Sequence, residues 1–324
     1  MTPTPTPTPP ASGGQIAFLS GRDGNYQICV MNADGGEPRC VTDRASDYGA
    51  PSWSPDGQRI IFQSHFAGPF RIFVVNSDGT GLARFTDQRI DGSSAAVSPD
   101  GGHIAFDSLR DHNTDVYVMN VDGSELMRLT DDPADDCCPA WSPDARRIAF
   151  VSQRDRNPEI YVMKADGTDV TRLTDDPAYD CCPAWSPDGQ RIAFTSRTDG
   201  YDEIHLMNAD GSESRPLTAP WANSGMPAWS PDGRRIAFVS DLDGNFEIYL
   251  ADADGANLTR LTNIPARDQS PAWSPDGRRI AFVSERDGNL EIYVMNADGT
   301  EVTRLTNDPV HDLWPAWCPT TASQ

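Results

Sequence analysis

The chain repeats itself every 44 residues. "DPADDCCPAWSPD" (132–144) returns almost unchanged as "DPAYDCCPAWSPD" (176–188), and the interval holds from end to end. The Trp of "WSPDG", or the residue in its place, falls at Trp53, Val97, Trp141, Trp185, Trp229, Trp273 and Trp317. "IAF" or its variant begins at Ile16, Ile60, Ile104, Ile148, Ile192, Ile236 and Ile280. The Thr of "RLT" follows the same step, from Thr42 to Thr306, without an insertion or deletion. A strict period of this length means one supersecondary unit copied and stacked, because a single copy cannot bury its own apolar face.

Each unit reads as four short strands. In the last full repeat, strand A is "PAW" (271–273) and "SPDG" turns into strand B, "RRIAFVS" (278–284). "ERDGN" turns into strand C, "EIYVM" (291–295), and "NADG" leads to strand D, which ends at "RLT" (304–306). Pro second, Asp third and Gly last suit a type I turn closed by a left-handed residue. Asp-Gly in the other loops is a hairpin signal. Strand B is apolar on both faces, Ile280 and Phe282 on one and Ala281 and Val283 on the other. A sheet with one wet face would alternate instead. Small four-stranded sheets covered on both faces and repeated radially are propeller blades. The chain enters at strand B (Ile16) and leaves at strand A (Trp317), so the two ends together complete a seventh blade. The expected fold is an all-β, seven-bladed β-propeller closed by its own termini, spanning 15–318. A Thr/Pro-rich linker, 1–14, precedes it and a short tail, 319–324, follows. "TPTPTPTPP" cannot pack and should form an extended tether.

Lys plus Arg number 26 against 48 Asp plus Glu, a net charge of −22, so phosphate backbones and anionic lipid are repelled. No nucleic-acid partner and no membrane insertion are expected, and the propeller is expected to be a monomer. The seven cysteines are too few and too irregular for a disulfide framework, and they lack zinc spacing.

"PAWSPDGRRIAFVS", "EIYVMNADG" and "RLT" together resemble the PD40 repeat, the WD40-like repeat of TolB-type propellers. The resemblance covers nearly the whole chain and implies a periplasmic or extracellular domain. Similar propellers serve as sensor domains, as non-catalytic parts of prolyl-peptidase-like enzymes and as oligogalacturonate lyases.

The motif tryptophans recur once per blade and are expected to pack between blades. The A–B and C–D turns share one face of the disc, and the more variable B–C and D–A loops share the other. Five residues before the motif position stand Tyr48, Gly92, Asp136, Asp180, Ser224, Asp268 and Asp312. The four aspartates are expected to ring the mouth of the central channel, either capping their own loops or sharing a cationic group. His311 lies beside Asp312, Trp221 and Trp314 read as D–A loop residues, and Phe66 and Phe70 mark the one B–C loop that abandons the Asp of the Asp-Gly form. These nine residues form the candidate ligand-binding face. "DLDGNFE" (241–247) echoes a calcium loop without its full ligand spacing, so calcium is the one cofactor considered and none is required. The adjacent pairs Cys137/Cys138 and Cys181/Cys182 follow from copying, with a link between blades left open. The five histidines are scattered along the chain with no cluster visible, and no Gly-x-Ser-x-Gly elbow occurs. The function expected is therefore a non-catalytic, extracytoplasmic module that binds a protein or a carbohydrate-like ligand. The alternatives are a polysaccharide lyase or hydrolase with its site in the funnel, and a structural scaffold.

Overall fold

In each blade the "IAF" segment forms strand B because both of its faces find a partner sheet. The structure, a computed structural model, describes residues 14–22, 25–43, 49–65, 71–86, 94–109 and 113–319. In blade 7, strand B (Arg279–Ser284) pairs antiparallel with strand C (Glu291–Asn296) and strand A (Asp268–Trp273), and strand D is the short Thr303–Arg304. Ile280, Ala281, Phe282 and Val283 are all fully buried. Among the described residues there are seven such four-stranded sheets. No helix among them is long and apolar enough to cross a membrane.

Blade 1 is assembled from both ends of the chain, in the order Asp312–Trp317, Gln15–Ser20, Gln27–Asn32 and Arg39–Cys40. Ile16 stands opposite Trp317, and Cys318 donates its amide to the Gln15 carbonyl at 2.8 Å. The A strands of neighbouring blades touch in an unbroken ring, which makes strand A the inner wall. The two-residue D strands lie at the periphery, too short to offer a usable edge. The motif tryptophans join blade to blade as expected. Trp185 donates its indole N–H to the Ala140 carbonyl of the preceding blade at 3.1 Å, and Trp317 donates to Ala272 at 3.0 Å.

Three features depart from the sequence reading. Strand A is longer than "PAW": it begins at the candidate aspartates, as in Asp136–Trp141 and Asp312–Trp317. It carries a bulge, where the register passes from Cys137↔Val151 directly to Ala140↔Ala149. The residue two positions after the aspartate, or after Ser224, adopts positive φ, at Cys138, Cys182, Met226, Ser270 and Trp314. Second, one disulfide is present, Cys29–Cys40, across strands C and D of blade 1. The pair occupies the register held by Tyr161↔Arg172 and Tyr293↔Arg304 elsewhere, so the repeat itself sets the two sulfurs side by side. Third, the blade 5 hairpin is longer than the rest, with strands of eight residues at Arg191–Thr198 and Tyr201–Asn208.

The turns follow their chemistry. Ser142 donates its hydroxyl to Asp144 at 2.6 Å, and the Ala145 amide closes onto the Ser142 carbonyl. That hydrogen bond holds the Asp144 carboxyl below its ordinary range. Ala145 has φ 58°, where its counterparts are Gly57, Gly101, Gly189, Gly233 and Gly277. Ala145→Gly is expected to stabilise the fold by about 1 kcal/mol, since an L side chain is disfavoured there. Equilibrium urea unfolding checks this, and an unchanged or lower stability would contradict it. Deleting residues 315–324 should strip Ile16 and Ala17 of their strand A partners, expose that edge of strand B in blade 1 and open the ring. Aggregation and a lower melting temperature are expected in light scattering and calorimetry; a monomer with unchanged melting would refute closure by the termini.

Candidate functional site

The candidate aspartates open strand A, and there the structure places them inside the protein. Asp136, Asp180, Asp268 and Asp312 are all fully buried, so they do not form a solvent-facing ring at the channel mouth. The loop reading put them in water because it began strand A three residues late. Each amide is donated to the preceding blade, from Asp136 to the Thr114 carbonyl and from Asp312 to the Leu290 carbonyl, both at 2.7 Å.

They adjoin a buried polar belt that the sequence reading missed. Its centre in blades 4, 6 and 7 is the first residue of strand C: Glu159, Glu247 and Glu291, all buried. Glu159 accepts hydrogen bonds from Arg172 at 2.8 Å, Asn157 at 2.7 Å and the Thr174 hydroxyl at 2.5 Å. The Thr174 oxygen in turn accepts the Ile160 amide at 3.0 Å. Asn157 also donates to the carbonyls of Asp176 and Ala178, which pins the D–A loop. Blade 7 repeats the set with Glu291, Arg304, Asn289 and Thr306. The signal was present as Asn-x-Glu followed by "RLT" in the same repeats, and a buried carboxylate held by charge-assisted donors is its physical meaning.

The four aspartates are not equivalent. Arg154 reaches Asp136 at 2.9 Å and Arg286 reaches Asp268 at 3.2 Å, in both cases from 18 residues on. The same register holds Thr198 for Asp180. For Asp312 it holds Arg22, which pairs with Asp308 instead. Among the described residues neither carboxyl oxygen of Asp180 or of Asp312 has a hydrogen-bond partner. Burial pushes both carboxyls up to about 6, although nearby hydroxyls (Ser196 and Thr174, Ser20 and Thr306) pull the other way without making a well-formed bond.

The remaining candidates divide. His311 is exposed and accepts the Leu290 amide on Nδ1 at 3.0 Å, the role that Asp135 plays for Thr114. Trp221 does lie in a D–A loop and is 68% exposed. Trp314 belongs to strand A, at the bulge on the inner wall, and is 38% exposed. Phe66 and Phe70 lie outside the described residues. Two residues that the sequence reading passed over join the exposed set: Tyr179, 46% exposed, and Tyr201, 41%. Both belong to the long blade 5 hairpin and its partner strand, where Arg197 stacks over Tyr179 and pairs with Asp202 at 2.6 Å. The "DLDGNFE" side chains do not converge: Asp241 accepts from Asn223, Asp243 from Tyr249, and Glu247 belongs to the belt. Among the described residues no three His, Cys, Asp or Glu side chains gather as a metal site would require. His103 packs near Trp141 and His205 against Phe194, in separate blades.

The Asp180 environment gives a pH prediction. Its folded pKa lies above the unfolded value near 3.8, so the folded state binds the proton more tightly and stability falls as pH rises from about 4 to 6. Above that window the buried charge costs on the order of 1–3 kcal/mol. Asp180→Asn should raise the melting temperature at pH 7.5 and lose that advantage near pH 4. Equal destabilisation at both pH values would show that the carboxylate is held by a partner.

Solved structures with this fold span several activities. TolB from Acinetobacter baumannii is 22% identical over 95% of this chain and 67% of its own, with a TM-score of 0.62. An oligogalacturonate lyase in complex with manganese is 17% identical over 91% and 86% of the two chains, TM-score 0.67. A puromycin hydrolase is 15% identical over 93% of this chain and 53% of its own, TM-score 0.74. At such identities these proteins share the fold alone. No curated protein matches the chain. The PD40 family, described as the TolB beta propeller domain, matches residues 2–106, 87–181, 175–269 and 261–323. Strand order, ring closure and repeat motif agree with that match, and the chain belongs to the PD40 family of TolB β-propeller domains.

Proposed function

We propose that this propeller is a non-catalytic binding module that acts outside the cytoplasm. A protein or a carbohydrate-like ligand would be held on the face formed by the B–C hairpins and D–A loops. One observation carries the reading. The aromatic residues exposed among the described ones are Tyr179, Tyr201, Trp221 and Trp314, and all four lie on that face or on the inner wall beneath it. Aromatics that the fold does not need for packing are the usual anchors of recognition. The opposite face is made of repeated turns whose polar groups are spent on each other, as in Ser142 with Asp144 and Thr300 with Asp298.

The location rests on the disulfide. Cys29–Cys40 is a structural bridge of the kind that persists in an oxidising compartment. The non-catalytic part of the reading rests on the belt: its carboxylates are engaged by Arg, Asn and Thr of their own blades.

The test is a glycan array together with a panel of basic peptides, probed with three forms of the chain. Binding by wild type should fall at least tenfold in a Tyr201→Ala, Trp221→Ala double variant. It should persist in Asp210→Asn, which alters a C–D turn on the other face. Loss confined to Asp210→Asn would place the site on the wrong face. Release of unsaturated products from oligogalacturonate by the wild-type chain would overturn the non-catalytic reading.

A further inference from the structure

Adjacent residues of a regular strand point to opposite faces, so their side chains stay apart. Two cysteine pairs in this protein do not. The sulfurs of Cys137 and Cys138 lie 3.3 Å apart, and those of Cys181 and Cys182 lie 3.1 Å apart. The cause is the strand A bulge. In blade 5 the register passes from Cys181↔Thr195 directly to Ala184↔Ala193, and Cys182 takes φ 59°. Cys138 takes φ 58° in the equivalent seat. Met226, Ser270 and Trp314 occupy the same seat with the same backbone in other blades, so the conformation belongs to the fold and not to the sulfurs. Cys137, Cys138 and Cys181 pack against one apolar cluster between blades 4 and 5, while Cys182 is exposed to reagents.

We propose that Cys137–Cys138 and Cys181–Cys182 are redox modification sites, each closing to a vicinal disulfide within its own blade by exchange with a low-molecular-weight disulfide. The compartment that keeps Cys29–Cys40 oxidised supplies this class of oxidant. Within blade 5 the hydrogen bond with Cys181 lowers the Cys182 thiol, and Cys182 is also the accessible one. Its thiolate attacks one sulfur of the small disulfide, forms a mixed disulfide and expels a thiolate, which takes up a proton. Cys181 then gives up its proton and attacks the Cys182 sulfur, expelling the second thiolate. The protein loses two electrons and two protons, and the small disulfide becomes two thiols. Vicinal closure strains an ordinary strand. Here the bulge has already turned both sulfurs to one side.

The full chain is equilibrated across reduced and oxidised glutathione mixtures. Its free thiols are then alkylated and its peptides mapped by mass spectrometry. In the oxidising mixtures the four thiols should become resistant to alkylation while Cys318 stays reactive, with each bridge inside its own pair. Cys138→Ser should abolish closure in blade 4 and leave blade 5 unaffected. The wild-type map decides the question even if that variant folds poorly. A Cys138–Cys182 or Cys137–Cys181 bridge would overturn the proposal. So would four thiols that remain alkylatable in a mixture that keeps Cys29–Cys40 closed. The same bridges forming equally well in urea would show that the bulge contributes nothing, and would overturn it too.

Discussion

The ring depends on the hydrogen bond that each strand A tryptophan makes with the blade before it. Trp53, Trp141, Trp185, Trp229, Trp273 and Trp317 each donate the indole N–H to an alanine carbonyl of the preceding strand A, at 2.9–3.1 Å. The ring system fills the wedge between two sheets, and its one polar atom is satisfied by the neighbour, so nothing is left unpaired on burial. In four of these contacts an arginine from the start of the preceding blade's strand B lies over the indole, at 4.6 Å for Arg147 over Trp185 and 5.1 Å for Arg235 over Trp273. One residue thus supplies the apolar contact, the hydrogen bond and the cation contact that fix the angle between blades. Repeated around the disc, that angle must close on itself. Trp53 meets Ala316, bringing the end of the chain against its second blade.

Close approach between blades imposes a second condition. A Cβ at Gly167 would sit 3.0 Å from the Leu129 carbonyl of the previous blade, and Gly167 has φ 83°. The "ADG" glycine is therefore required twice, by its own turn and by the neighbouring chain. This explains why "DG" persists in the C–D turns of every repeat while the B–C loops drift. The B–C loops meet the next blade through backbone carbonyls, such as those of Thr114 and Leu290, which leaves their side chains freer to change.

The 44-residue period, the turn residues and the doubly apolar strand B were enough to read the fold, because each is a local rule copied seven times. Three things escaped, each where the pairing of strands decides what the residue-by-residue pattern does not show. The first half of strand A reads "DCC", "SGM", "DQS" or "DLW". No alternation marks it as a strand because the bulge removes alternation. Its first residue was consequently placed in a loop, and four buried aspartates were read as surface groups. The disulfide was hidden by counting cysteines instead of placing them on the repeat. Cys29 and Cys40 are 11 residues apart, the separation of Tyr161 and Arg172, which stand opposite each other across strands C and D. The buried glutamates were missed because each follows a loop signal and carries a charge, and only its placement beside Asn, Arg and Thr of the same repeat, as for Glu159 with Asn157, Arg172 and Thr174, shows that it is buried.

A fold built this way separates what it requires from what it leaves free. The tryptophan, the "DG" glycine and the Thr of "RLT" are bound to neighbours and barely vary. The bulge seat is also constrained, but only in its backbone: five blades hold Cys138, Cys182, Met226, Ser270 and Trp314 in one conformation. The side chain there varies from blade to blade, and the Met226 sulfur and the Ser270 hydroxyl of the next blade are 3.9 Å apart. Five like backbone seats with differing side chains let chemistry change one blade at a time without disturbing closure. The same holds at the outer rim of that face, where the blade 5 hairpin adds Tyr201 and Arg197 beyond the common strand length. Variation in this chain has accumulated in side chains that the inter-blade geometry does not depend on, on the surface where the proposed ligand would be held.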